Sequence, residues 1–126
     1  MHIVKASQID YIPASHESPK NPGVLKKVLA RNVELNEGNI QMINWALLPV
    51  GKSFAPHYHE DMQEVFIIIT GMVEISIDQE VETLSRGDLV FIPPQAVHRM
   101  KNIGHENVEY IALGISKTGR GKTVTV

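Results

Sequence analysis

Two histidines two positions apart, His57 and His59, are followed by Glu64 and, far along the chain, by His98. Side chains alternate along an extended strand, so the two imidazoles point the same way. Pro56 precedes the pair, and the chain enters it extended. Glu64 heads the apolar run Val65–Ile69, just beyond the polar pair Glu60 and Asp61. If Glu64 lies on the adjoining strand, a turn over residues 60–63 folds its carboxylate back towards the histidines. Imidazole nitrogens and a carboxylate suit first-row divalent metals. His98, arriving from a distant strand, would close a site that exists only in the folded chain. His2, His16 and His105 have no patterned neighbours and read as surface or core residues with satisfied hydrogen bonds.

The elements that must position these residues are short and β-rich. Residues 1–22 contain Pro13, Pro19 and Pro22 among serines and asparagines, an irregular arm ending in the turn Asn21-Pro22-Gly23. Val24 to Leu29 fits helix or strand spacing, and strand is the reading adopted. Ile40 to Leu48 is a strand ended by Pro49-Val50-Gly51, and His57 to Thr70 is β-rich up to Gly71. Met72 to Ile77 alternates Val73, Ile75 and Ile77 with Glu74, Ser76 and Asp78, as a half-buried strand does. Further segments cover Val81 to Leu84, Leu89 to Ile92, Val97 to Asn102 and Val108 to Ile115. Pro93-Pro94 stops the Leu89 segment, because proline cannot donate to a ladder. Many short strands with Gly/Pro turns and no long helix indicate an all-β sandwich or barrel. Residues 23–116 form the expected single domain, and 117–126 a tail or an extra edge strand.

Composition excludes several classes. A chain of 126 residues fits one domain with a real core. With 43% hydrophobic and 21% charged residues it reads as an ordinary globular protein. A net charge of -2 gives no electrostatic reason to expect nucleic acid, and the cluster Lys117, Arg120 and Lys122 reads as a solvated tail. The absence of cysteine removes disulfides, thiolate catalysis and Cys-ligated zinc or iron–sulfur centres. No secretory signal is visible at the N-terminus, and no apolar run is long enough to span a membrane, so a cytoplasmic location is expected. Gly119 to Thr123 imitates part of a phosphate loop, but Ser116 stands where its first glycine belongs.

As a pattern, Gly51-x5-His57-x-His59-x4-Glu64-x6-Gly71 resembles the first cupin motif at every defined position. Gly87, Pro93, His98 and Asn102 match the second motif, with Gln95 where that motif has its second glycine. The resemblance implies a jelly-roll barrel, the double-stranded β-helix, holding one divalent transition metal (Mn, Fe, Ni, Co, Cu or Zn) on His57, His59, Glu64 and His98. Glutamine at position 95 puts the following turn in question, since glycine tolerates a positive φ there and glutamine does not.

Alternation from the ligands suggests that Phe66 and Ile68 share Glu64's inward side and Met100 shares His98's, with Tyr110 a candidate pocket phenol. On the Ile40 strand, either Met42, Asn44 and Ala46 or Ile43, Trp45 and Leu47 face inward. The expected ligand is a small oxygen-rich molecule, a sugar or a keto or carboxylic acid. Redox-neutral isomerase, epimerase or lyase chemistry competes with an Fe(II)-dependent dioxygenase and with a non-catalytic binding module. Uncovered sheet edges favour a homodimer.

Overall fold

The computed structural model describes residues 1–119 and 121–126, and among them every element longer than three residues is a β-strand. In chain order the strands are β1 (Ile12–Pro13), β2 (Leu25–Arg31), β3 (Ile40–Leu48), β4 (His57–His59), β5 (Gln63–Thr70) and β6 (Met72–Ile77). They continue with β7 (Glu80–Ser85), β8 (Leu89–Ile92), β9 (His98–Asn102), β10 (Val108–Ile115) and β11 (Thr123–Thr125). Two antiparallel sheets result, ordered β1-β2-β3-β10-β5-β8 and β11-β4-β9-β6-β7. Leu48, Phe66 and Ile68 from the first sheet share one core with Val73, Ile75 and Met100 from the second. This is the all-β sandwich or barrel expected from the strand pattern, in the jelly-roll form that the motif resemblance implies.

Alternation sorts the side chains. On β9, His98, Met100 and Asn102 are buried while Arg99 and Lys101 are exposed. On β3 the inward set is Asn44, Ala46 and Leu48, which resolves the choice left open by the sequence. Gly71 makes the reversal between β5 and β6 at φ +87, and a Cβ there would come within 2.6 Å of a Val108 methyl. Only glycine satisfies both conditions.

Register adds depth to alternation. Gly114 on β10 lies opposite both Met42 and Glu64, whereas Tyr110 lies opposite Ala46 and Ile68. Met42, Asn44 and Glu64 therefore sit towards one end of the barrel, and Leu48 and Ile68 towards the other. That second end is closed by Leu48, Ile68, Val73, Met100 and Val108, all essentially inaccessible to solvent. The first end holds the polar residues.

The arm and the tail both join the sheets. Ile12 and Pro13 pair with β2, and Thr123 to Thr125 pair with His57 to His59 on β4. Glu17 anchors the arm: its carboxylate accepts the backbone N–H of Val24 at 3.2 Å and that of Ala55 at 3.4 Å. Among the described residues no helix is long and apolar enough to cross a membrane.

Candidate metal centre

His57 and His98 are cross-strand partners on β4 and β9, with ring centroids 4.3 Å apart. His59 follows on β4. Glu64 comes from the opposite sheet, because residues 60–62 carry the chain across from β4 to β5. The two strands are thus not adjoining partners, and the carboxylate reaches the histidines across the barrel interior. All four side chains are buried, and each offers one ligand atom within 4.8 Å of the others. Atoms on opposite sides of an ion bound at about 2.1 Å stand about 4.2 Å apart.

The outer nitrogens explain why the inner ones converge. His57 Nδ1 lies 2.7 Å from the Ala55 carbonyl, and His98 Nδ1 lies 3.0 Å from that of Ala96. A carbonyl only accepts, so both Nδ1 atoms carry the proton and Nε2 is left with a lone pair. His59 Nδ1 is 3.0 Å from the Thr123 hydroxyl on β11. Such outer contacts orient metal-binding imidazoles and fix their tautomer. The inner atoms crowd one acceptor: Glu64 Oε1 is 2.7 Å from His59 Nε2 and 3.1 Å from His98 Nε2. Lone pairs aimed at a carboxylate repel it unless protons or a cation intervene. The donor set and its geometry therefore fit a divalent metal ion.

Electrostatics agree with that reading. Burial alone would raise the Glu64 pKa, but the adjacent imidazoles of His59 and His98 outweigh it and hold the carboxyl down at about 2. Burial lowers the His57 pKa to about 4, despite the opposing hydrogen bond to Ala55, which keeps its imidazole neutral near pH 7. An ionised carboxylate and a neutral imidazole are the forms that bind metal.

His57, His59 and Glu64 line a partly open cavity of about 390 Å³, while His98 is buried behind it. Phe66 and Tyr110 line it, along with Met42, Asn44 and Ala46. Ile68 and Met100, expected as pocket residues, are instead fully buried in the packed end and do not line it. Alternation places them on the correct side, but their positions along the strands put them too deep. Burial pushes the Tyr110 phenol far above its ordinary pKa, so it stays protonated.

Several cavity residues carried no signal in the sequence. His16 stacks on His57 with centroids 3.7 Å apart, and its Nε2 is buried without a hydrogen-bond partner. Burial, followed by neighbouring His57, lowers its pKa to about 3. Gly119, Gly121 and Thr123 also line the cavity, so this stretch serves the site despite lacking a phosphate loop. Arg120, part of the basic tail cluster, lies outside the described residues.

Gln95 adopts φ +68, the left-handed conformation for which the motif's glycine is suited. Its backbone N–H donates to the His59 carbonyl at 2.7 Å, so a strained turn helps hold a metal-site residue in place. Asn102, the last residue of the second motif, is structural. Its amide donates to the carbonyls of Leu48 and Glu106, and its oxygen accepts the Gly104 N–H.

The Cupin domain family model matches residues 44–114. The chain belongs to the cupin family. An uncharacterized protein of Methanocaldococcus jannaschii, MJ1618, is 27% identical over 105 residues, covering 83% of this chain and 82% of that protein. The matches to other curated relatives span from 12% to 61% of those proteins' length. A predicted oxalate decarboxylase from Thermotoga maritima superposes with a TM-score of 0.80 at 22% identity, covering 91% of this chain and 99% of that one. A cupin sugar phosphate isomerase from Silicibacter pomeroyi gives 0.73 at 16% identity, with 92% and 76% covered. At those identities the structural likeness bears on the fold alone.

Proposed function

We propose that this cupin binds one divalent transition metal through His57, His59, Glu64 and His98, and acts there on a small oxygen-rich molecule, a sugar or a keto or carboxylic acid. The observation that carries this reading is the cavity of about 390 Å³ lined by His57, His59 and Glu64, with His98 buried directly behind them in the same cluster. A purely structural metal is closed off by its ligands, whereas a reactive one keeps positions free. A cation held there would supply Lewis acidity to a carbonyl or hydroxyl oxygen. The names of the solved relatives, a predicted oxalate decarboxylase and a sugar phosphate isomerase, lend support to small oxygenated substrates.

Around that centre the chain's own residues orient and exclude. Phe66 and Tyr110, with rings 4.9 Å apart, form an apolar floor that keeps water from the inner face of a ligand. His16, neutral and unpartnered at Nε2, supplies a hydrogen-bonding group beside the ligand set. Redox-neutral isomerase or lyase chemistry is the reading adopted, with Fe(II)-dependent dioxygen chemistry as its alternative, since four protein ligands would leave room on the ion for a substrate oxygen or for dioxygen. Turnover of sugars and keto acids by Mn- or Zn-loaded protein, followed by NMR under nitrogen, tests this. Anaerobic conversion supports the reading; conversion only with Fe(II) and oxygen uptake overturns it.

A homodimer is part of the proposal. Two cross-strand rows cover the outer face of the six-stranded sheet: Trp45, Ile111, Ile67 and Leu89, and beside them Ile43, Leu113, Val65 and Phe91. Phe91 is 63% exposed, while the other sheet presents Glu74, Glu82, Arg99 and Lys101. Burying such an apolar face in a second copy is the economical solution. A monomer mass by light scattering would refute it.

A further inference from the structure

β2 contains a register shift between Val28 and Ala30. Before it, Lys26 lies opposite Ala46 and Val28 opposite Asn44, both inward positions on β3. Strict alternation would then turn Arg31 away from the barrel. The extra residue instead places Arg31 opposite Met42, a cavity residue. A bulge of this kind re-aims a side chain. Lys26 and Arg31 consequently stand on the same cavity as the histidine cluster.

Neither cation has a carboxylate within ion-pair distance among the described residues. The Lys26 ammonium is half-buried and donates to the neutral Ser15 hydroxyl at 3.0 Å. Burial and neighbouring Arg31 lower its pKa, the mark of a cation with no adequate counter-charge. Two more polar atoms on the cavity are buried and unpartnered, His16 Nε2 and Asn44 Oδ1. Buried polar atoms nearly always find partners, and an amide oxygen requires a donor such as a hydroxyl. A divalent ion with one carboxylate would add a further positive charge. Lys26 and Arg31 therefore favour an anion on this side of the cavity, and the Asn44 oxygen favours a hydroxyl beside it.

We propose that Lys26 and Arg31 form an anion subsite, so that the ligand is a small hydroxylated acid. Its carboxylate or phosphate lies on Lys26 and Arg31, a hydroxyl donates to Asn44 Oδ1, and its remaining oxygens face His57, His59 and Glu64. This deepens the small-molecule reading of the cavity and rests on it.

Calorimetric titration of Mn-loaded protein with gluconate, glucose 6-phosphate and glucose tests the subsite. At least one of the two anions should bind, and glucose at least about tenfold more weakly, which is about 1.4 kcal/mol. The bound anion identifies the group as carboxylate or phosphate. Lys26→Met should lower anion affinity at least about tenfold with Mn content unchanged. Lys26→Arg should retain it, and Arg31→Met, on the exposed rim, should lower it less. Glucose binding as tightly as the anions, an unchanged Lys26→Met, or no anion bound at all would overturn the proposal. If wild-type protein takes up none of Mn, Fe, Ni, Co, Cu or Zn, the metal reading fails by itself. The same titrations on metal-free wild type and Lys26→Met then decide the subsite: Lys26-dependent anion binding upholds it, and its absence overturns it.

Discussion

Replacing His16 by phenylalanine keeps a ring stacked on His57 and removes one titrating group. In metal-free protein the imidazole of His16 is held neutral to about pH 3, mainly by burial, whereas in the unfolded chain it takes a proton near its ordinary value of 6.5. The sign follows from linkage. Above pH 6.5 neither state holds the proton and His16 contributes nothing to the pH dependence. Below that value only the unfolded chain is protonated, so stability falls as pH falls until about 3. Each such group removes about 1.4 kcal/mol per pH unit. His57, lowered to about 4, acts in the same direction. Glu64, held at about 2, also destabilises on acidification, but only below its ordinary value of 4.5, so the interval from pH 7.5 to 5.5 excludes it. Across that interval His16→Phe should lose about 1.4 kcal/mol less stability than wild type. Urea unfolding in EDTA at the two pH values measures the difference. Equal losses in the two proteins would refute the assignment of His16 as a neutral, buried cavity imidazole.

Two further outcomes follow from local geometry. Gln95→Gly relieves a left-handed glutamine at φ +68 and should stabilise the fold by about 1 kcal/mol in urea unfolding; destabilisation would show that the turn carries no strain. Thr123→Val removes the hydroxyl 3.0 Å from His59 Nδ1 and should weaken metal affinity about 10- to 100-fold by competition with a chelator, with the circular dichroism spectrum unchanged.

The grouping of His57, His59, Glu64 and His98 was legible from the spacing within the two motifs, whereas the crossing of Glu64 to the opposite sheet was not. The strands were legible because burial follows period two along β6, β9 and β10. Depth was not. Ile68 and Met100 share a side with Glu64 and His98, yet how far each lies from the open end depends on cross-strand register. The position of Arg31 depends on a single-residue bulge that no alternation pattern reveals. His16 lies in a proline-rich arm without periodicity. It reaches the cavity because Glu17 ties the arm to Val24 and Ala55, and because Gly23 passes so close to the Ser53 carbonyl that an added Cβ would come within 1.9 Å of it. Thr123 becomes part of the site only through the pairing of β11 with β4. These are long-range contacts, invisible to a window moved along the chain.

The most direct test of the central claim is the metal content of untagged protein, measured by elemental analysis beside His59→Ala. One equivalent of a first-row divalent metal in wild type, and its loss from a variant that still shows a β-sheet spectrum, is the result expected. Equal metal in both proteins, or none in wild type after incubation with Mn, Fe, Ni, Co, Cu and Zn salts, would contradict a cation held by His57, His59, Glu64 and His98.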